Sequence, residues 1–433
     1  MSEGAEPGRA AERGRTTVVS RADEGSRAGE STDSRWIALV AALVLVGTAL
    51  RPQLLLIGPL VGQVQAELGM SHGIAGLLST IPVLCMGLLA PLGPVLAQSI
   101  GPKAGTTVCV ALVGIFGVAR AFLPDTATVL LATVGLGVGM AVVGPILPMI
   151  VRARLPHHPA AGTGAYVVGF TVGGAVTAKI AVTLADAFGG WRGAFAIVSA
   201  VAFLAVAAWI WLAPRDHGFV RVRATRPSLP WRRPAAWLLG LIFGSQSILF
   251  YGSITWLASI YVQRGWPEAQ AGDLVALQAG IGLVSTLAVP AFADRVGTRR
   301  SQLALAALLS LIGAAVIALT PNEAPGSPIA FLATALMGLG IGAYFPLALT
   351  LPVDVARDAN DAASISAFML LIGYTLASIA PVVLGVVRDA TGNFESVAWI
   401  IVGIAAVMLP LALSLSPHRL RAAGVDAAPA SKG

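Results

Sequence analysis

The sequence predicts an all-α polytopic membrane protein, with twelve transmembrane helices arranged as two pseudo-symmetric six-helix bundles. Three observations carry that prediction. Of 433 residues, 56 % are hydrophobic and only 11 % charged, far from the composition of a soluble domain. Apolar stretches of roughly 20 residues, the length that crosses a bilayer as a helix, recur along the chain. Motifs of the first half also return in the second.

The spans fall at about 36–65, 74–97, 104–123, 127–151, 161–185, 193–213, 236–262, 271–293, 301–320, 328–352, 362–387 and 396–416, between charged, Gly-rich or Pro-rich breaks. Residues 1–35 are rich in Gly, Ser, Arg and Glu without apolar periodicity, so a disordered tail is expected there. The apolar run that follows is too long for the h-region of a signal peptide. Residues 36–213 then form an N-terminal bundle, 214–235 a linker, 236–416 a C-terminal bundle and 417–433 a second tail.

The net charge of +7 is concentrated in loops. With the N-terminus in the cytosol, inner loops carry Lys103, Arg152, Arg154, the arginines of 215–234, Arg295, Arg299, Arg300 and Arg357. Outer loops carry Arg192, Arg264 and Arg388. That is the positive-inside pattern of a cytoplasmic-membrane protein with both termini cytosolic, and no nucleic-acid footprint. Cys85 and Cys109 sit singly in apolar runs, so neither a disulfide framework nor a metal site is expected, and no cofactor is called for.

Three pairs of anchors lie 203 residues apart: "GLGVG" from Gly135 with "GLGIG" from Gly338, Arg154 with Arg357, and "DAFGGW" from Asp186 with "DATGNF" from Asp389. "AQSIGPK" from Ala97 pairs with "ADRVGTR" from Ala293 at an offset of 196, and near that spacing Arg51 falls opposite Gln246. The chain therefore reads as a duplicated six-helix unit with a polar residue within the first helix of each half.

Two such halves resemble the major facilitator superfamily across essentially residues 36–416. "FADRVGTRR" is similar to its motif between the second and third helices of a half; the first-half copy has Gln98 where that motif has Asp. "LRPQLLLIGPL", "GLLSTIPVLCMGLLAPLGPVLA", "GLGIGAYFPLALTLPVDVARD" and "LLIGYTLASIAPVVLGVVRDATG" resemble the cyanate and nitroimidazole permease family, CynX/NimT. The resemblance implies a central cavity lined by the first, fourth, seventh and tenth helices. It also implies that Asp294, with Arg295, Arg299 and Arg300, latches neighbouring helices as a gate. Arg120, which resembles an arginine seen in that family, reads as structural or gating.

A guanidinium within the bilayer is costly, so Arg51 must face a wet cavity or a partner. Pro52 removes a backbone N–H and disfavours the helical region for the residue before it, so a kink there frees the carbonyl of Thr48. Arg51 either meets solute or only bonds freed carbonyls. Gln246, Phe250 and Ser253 share one face of the seventh helix, with Tyr251 and Trp256 nearby, and suit a small planar anion or polar heterocycle. The aromatics could equally be packing or interfacial anchors. Tyr344 and Met140 occupy corresponding parts of the tenth and fourth helices. Gln278 and Tyr374 are polar groups at membrane depth that face solute or bond between helices. Lys179 brings a second positive charge to the solute or reaches the outer headgroups.

Glu67, Asp125, Asp186, Asp273, Asp294, Asp354 and Asp389 all lie at span ends or in loops, so no carboxylate or histidine within a span serves a proton relay. The expected function is secondary transport, by a monomer, of a small anionic or polar planar solute, cyanate-like or nitroimidazole-like, through alternating access around Arg51 and Gln246. The alternatives are a drug exporter for neutral amphipathic compounds, with Arg51 structural, and a non-transporting membrane receptor. An enzyme is not expected. No nucleophile–base pair or phosphate loop is present, and the His pair 157–158 lies in a basic loop.

Overall fold

Local signals set where the helices begin and end. The side chains of Ser71, Asp125, Thr298, Ser327 and Asp358 accept from backbone N–H groups of the first helical turns. Pro102, Pro159, Pro234 and Pro328 stand in first turns, where a missing N–H costs nothing. Gly69 and Gly392 stop their helices in the left-handed conformation, at φ 63° and 77°.

A computed structural model of the chain describes residues 36–156, 158–214, 229–293 and 298–415. The described residues contain no strand. The first span runs over Trp36–Leu55 and continues as Ile57–Leu68. The second is His72–Leu88 followed by Leu92–Ile100, bent by 69°. The rest are Pro102–Phe122, Thr126–Arg154, Pro159–Ala187, Trp191–Leu212, Pro234–Gln263, Glu268–Ala293, Arg299–Leu319, Pro328–Val355, Ala359–Thr391 and Glu395–Leu413. Eleven helices are long and apolar enough to cross a membrane, and the bent pair makes a twelfth crossing. The bend corrects the expectation of one straight helix over 74–97. Pro91, lacking an N–H, opens the second segment.

The duplication is visible in the packing. Spans two and four, three and four, and three and six pack together; so do eight and ten, nine and ten, and nine and twelve, the same pairs displaced by six. The first six spans meet the last six mainly along spans two and eleven and spans five and eight, a pair of contacts that the same displacement exchanges. In the seventh span 78 % of the apolar window is buried, against 33 % in the sixth and twelfth. The seventh is therefore interior, while the sixth and twelfth turn Leu204, Trp211, Trp399 and Val407 outward, as lipid-facing helices do.

We call the end of the bundle opposite Trp36 the distal end. There the two halves touch backbone to backbone. A Cβ on Gly58 would stand 2.1 Å from the Ile254 carbonyl oxygen, one on Gly76 2.5 Å from that of Pro381, and one on Gly385 2.3 Å from that of His72. Only glycine permits such approach. Hydrogen bonds between the halves gather in the same region. Gln63 Nε2 donates to Glu268 Oε2 at 2.9 Å, Thr80 Oγ1 to the Ser378 carbonyl at 2.6 Å, and Thr255 Oγ1 to Ser79 Oγ at 2.9 Å. Below the 69° bend, Leu92–Ile100 packs on the third and fourth spans of its own half.

Candidate functional site

The site is built around an interruption in the first span. Arg51 and Leu56 break its hydrogen-bond ladder, yet both keep helical dihedrals (φ −67°, ψ −33° and φ −66°, ψ −28°). The span is therefore interrupted but not unwound. The Arg51 carbonyl accepts from the N–H groups of Leu54 and Leu55 at 3.1 and 3.3 Å, which tightens the turn after Pro52. Gly173 lies against Thr48 and Gly169 against Val44, so the fifth span supports the first at close range.

The half-buried Arg51 guanidinium lies 5.0 Å from the centroid of Phe250 and 6.0 Å from that of Tyr251, on the seventh span. Among the described residues no carboxylate pairs with it. Its charge rests on ring faces, an attraction of about 0.5–2 kcal/mol per contact. The rings continue as a wall: Phe250 meets Tyr251 at 5.1 Å, Tyr251 meets Tyr374 at 6.5 Å, Tyr374 meets Phe243 at 5.2 Å and Phe243 meets Phe345 at 5.9 Å. Tyr374, for which the sequence left open facing solute or bonding between helices, thus joins the wall. Phe243 and Phe345 were not singled out in the sequence. Phe243 stands seven residues before Phe250, and that helical spacing was the available signal.

Other candidates are turned elsewhere. Gln246 is buried between the seventh and tenth spans; its Nε2 donates to the Ile341 carbonyl at 3.3 Å and its Oε1 accepts from Ser247 Oγ at 3.1 Å. Gln278 is buried and donates at 2.6 Å to Ser253 Oγ, which itself donates to the Phe250 carbonyl at 3.0 Å. Tyr344 is fully buried beside Ser245, its hydroxyl closing no hydrogen bond of ordinary geometry. Met140 is buried in the apolar core. Trp256 is a packing residue, fully buried with its Nε1 donating to the Pro381 carbonyl at 2.8 Å. The shared face of Gln246, Phe250 and Ser253 therefore meets three different neighbours.

Lys179 is paired. Its Nζ lies 2.6 Å from Asp273 Oδ1, joining the fifth span to the eighth, with its side chain 61 % exposed. A carboxylate on the facing half thus holds the amine. Arg120 lies away from the seam between the halves. It is fully buried within the first half, its Nη2 donating to Gln53 Oε1 at 2.9 Å and its guanidinium 4.4 Å from the Phe195 centroid, so it spans no gate between the halves. Asp294 and Arg295 lie outside the described residues. Arg299 Nε approaches Asp354 Oδ2 at 3.7 Å, tying the ninth span to the tenth, and Arg300 is exposed.

Two halves that meet face to face, with a cation and an aromatic wall between them, define a polytopic solute carrier. A family model described as the Major Facilitator Superfamily matches residues 37–381 and 268–428, and the chain belongs to that superfamily. It is 32 % identical over 374 residues to the uncharacterized transporter YycB of Bacillus subtilis (strain 168), covering 86 % of this chain and 91 % of that one. It is 30 % identical over 379 residues to the 2-nitroimidazole transporter of Escherichia coli (strain K12), covering 87 % and 94 %. With the cyanate transport protein CynX of the same organism it shares 30 % over 356 residues, covering 82 % and 91 %. In fold it is similar to a D-xylose-proton symporter, with a TM-score of 0.72 at 14 % identity over 88 % of this chain and 98 % of that one. The protein is a multi-pass membrane transporter of the secondary type, acting on a small-molecule solute, and its relatives are named as transporters and not as enzymes.

Proposed function

We propose that this transporter carries a small anionic or polar planar solute, of cyanate-like or nitroimidazole-like chemistry, held between Arg51 and the ring wall of Phe250, Tyr251 and Tyr374. The carrying observation is the Arg51 guanidinium, within a membrane span and without a carboxylate partner among the described residues, over two ring faces on the opposite half. A guanidinium so placed attracts an anion or accepts a polar heterocycle by fork-shaped hydrogen bonding, while the rings stack on a flat solute. The names of two relatives, a 2-nitroimidazole transporter and a cyanate transport protein, favour the same chemistry.

The basic loops orient the chain with its termini in the cytosol, so the distal end is the outer face of the cytoplasmic membrane. The contacts gathered there correspond to an outward-closed state, and alternating access requires that they part while the six-helix halves 36–213 and 236–416, linked by 214–235, rock as a monomer.

Thermal stabilisation of the purified protein by cyanate, 2-nitroimidazole and neutral amphipathic drugs, beside Arg51→Gln, tests the proposal. Stabilisation by the first two that the variant loses supports it. Equal stabilisation of both proteins by neutral drugs would replace it with the exporter reading, in which Arg51 only steadies an interrupted helix.

A further inference from the structure

Arg51 and Gln53 are two residues apart in the first span, about 200° around a helix, and so face opposite ways. Arg51 turns to the rings of the seventh span, and Gln53 is fully buried toward the third and sixth. Behind Gln53 stands Arg120, with no exposure and no carboxylate partner among the described residues. Its Nη2 donates to Gln53 twice, at 2.9 Å to Oε1 and at 3.4 Å to the main-chain carbonyl. Ser199 Oγ, on the sixth span, donates to the same Oε1 at 3.1 Å. Among the described residues Arg120 Nε and Nη1 find no acceptor. A buried cation whose hydrogen bonds all end on one residue is strongly bound to that residue's position, because losing it strands the charge.

That residue sits inside the short stretch between the interruptions at Arg51 and Leu56. Proline at 52 and at 59 removes two backbone donors from this part of the span, so the ladder alone holds its rotation weakly. Packing space cannot take up the slack: a Cβ on Gly117 would stand 2.5 Å from Ser199 Oγ and 3.2 Å from Gln53 Oε1. The polar tie and this close packing together lock the back of the segment.

We propose that Arg120, through Gln53, is a positioning device for Arg51: it sets the rotation of the interrupted segment and so holds the Arg51 guanidinium against the ring wall. Neither residue touches solute. The inference deepens the proposed solute site and rests on it for its consequence in binding, while its geometric content, the orientation of position 51, stands apart from any solute.

The test uses the full-length protein. Arg120→Met strands Gln53 and removes a large buried group, so it is expected to fold poorly, and Gln53 carries the experiment. Gln53→Leu keeps the volume and removes the acceptor; Gln53→Glu keeps an acceptor for Arg120 and Ser199. With cyanate and 2-nitroimidazole as probes, the half-saturating concentration for thermal stabilisation is expected to rise roughly tenfold or more in Gln53→Leu, the scale of about 1.4 kcal/mol of lost binding, and to stay within about twofold in Gln53→Glu. If Gln53→Leu lowers only the melting temperature without solute and leaves that concentration unchanged, Arg120 merely stabilises the fold and the proposal is overturned.

Should neither probe stabilise the wild type, the solute reading fails and orientation is read directly. In a Cys85→Ala, Cys109→Ala background, the thiol of Arg51→Cys is labelled with a water-soluble reagent, with and without Gln53→Leu. A labelling rate changed about tenfold by Gln53→Leu upholds the positioning role without reference to solute. Equal rates overturn it.

Discussion

Asp389, near the end of the eleventh span, takes hold of the start of the second span at His72. His72 Nδ1 donates to its Oδ1 at 2.6 Å, the His72 backbone N–H donates to the same oxygen at 3.1 Å, and the Gly73 N–H donates to Oδ2 at 2.8 Å. The imidazole is packed 5.9 Å from Trp256 and 5.4 Å from Phe394. A carboxylate on one half therefore occupies the N-terminus of a helix on the other, where the helix dipole favours it.

Asp389→Asn is expected to loosen the distal closure. Loss of a charged acceptor across the halves, partly exposed to solvent, removes about 1 kcal/mol and so shifts the closed-to-open ratio about fivefold. A cysteine at Thr80, itself part of the seam, reports it when Asp389→Asn is compared with Asp389 in the same Thr80→Cys, Cys85→Ala, Cys109→Ala background: its labelling by a reagent confined to the distal side should speed up by a similar factor. An unchanged rate means that the glycine contacts and the other hydrogen bonds between the halves seal this end without Asp389.

Glu67 gives a pH dependence whose sign follows from its partners. Hydrogen bonds from Arg192 Nε and Trp191 Nε1, each at 2.6 Å, meet its carboxylate in the last turn of Ile57–Leu68, past the apolar stretch that ends near residue 65. The Arg192 bond is the largest influence and holds its pKa below the ordinary 4.5. Stability from this group is present above that value and is lost as pH falls through the depressed folded pKa. The melting temperature of wild type should exceed that of Glu67→Gln at pH 7, with the gap closing below pH about 4.5.

Gly169→Val should prevent normal assembly of the first and fifth spans. A Cβ there would stand 2.2 Å from the Val44 carbonyl oxygen and 3.0 Å from Gly47 Cα. Forcing backbones apart at such a crossing costs about 1–3 kcal/mol or more. The variant should melt lower in detergent, whereas Gly164→Ala, within a helix and with nothing within 4 Å of the added carbon, should melt no lower than wild type.

Lys179→Ala should leave the solute response of the protein intact. The side chain is 61 % exposed and its amine is paired with Asp273, a type of ion pair worth about 0–1 kcal/mol. The concentration of cyanate or 2-nitroimidazole that half-saturates thermal stabilisation is expected to match wild type. A severalfold increase in that concentration would return Lys179 to the solute site.

Much of the architecture was legible in the chain because it depends on sums along the sequence. Hydropathy over about 20 residues locates spans, since a bilayer requires every backbone polar group to be bonded within the segment. The repeats of Gly135 with Gly338 and Asp186 with Asp389 announced the duplication that the packing displays. Arg51 stood out because a cation in an apolar run is costly. Gln53, two residues away, did not, since an amide in a span is not unusual and its partner, Arg120, is 67 residues distant.

The sequence by itself determined that this is a membrane-spanning, duplicated carrier with an arginine in its first span. Only the tertiary structure decided which groups meet: Arg51 with Phe250, Gln53 with Arg120, Gln246 with the tenth span, Lys179 with Asp273. The reason is rotational. A helix that is apolar on nearly every face has little amphipathic signal to say which side turns inward, and each residue advances it by about 100°. Neighbouring positions can therefore point to different helices, and close packing at glycines, with buried hydrogen bonds, makes the choice.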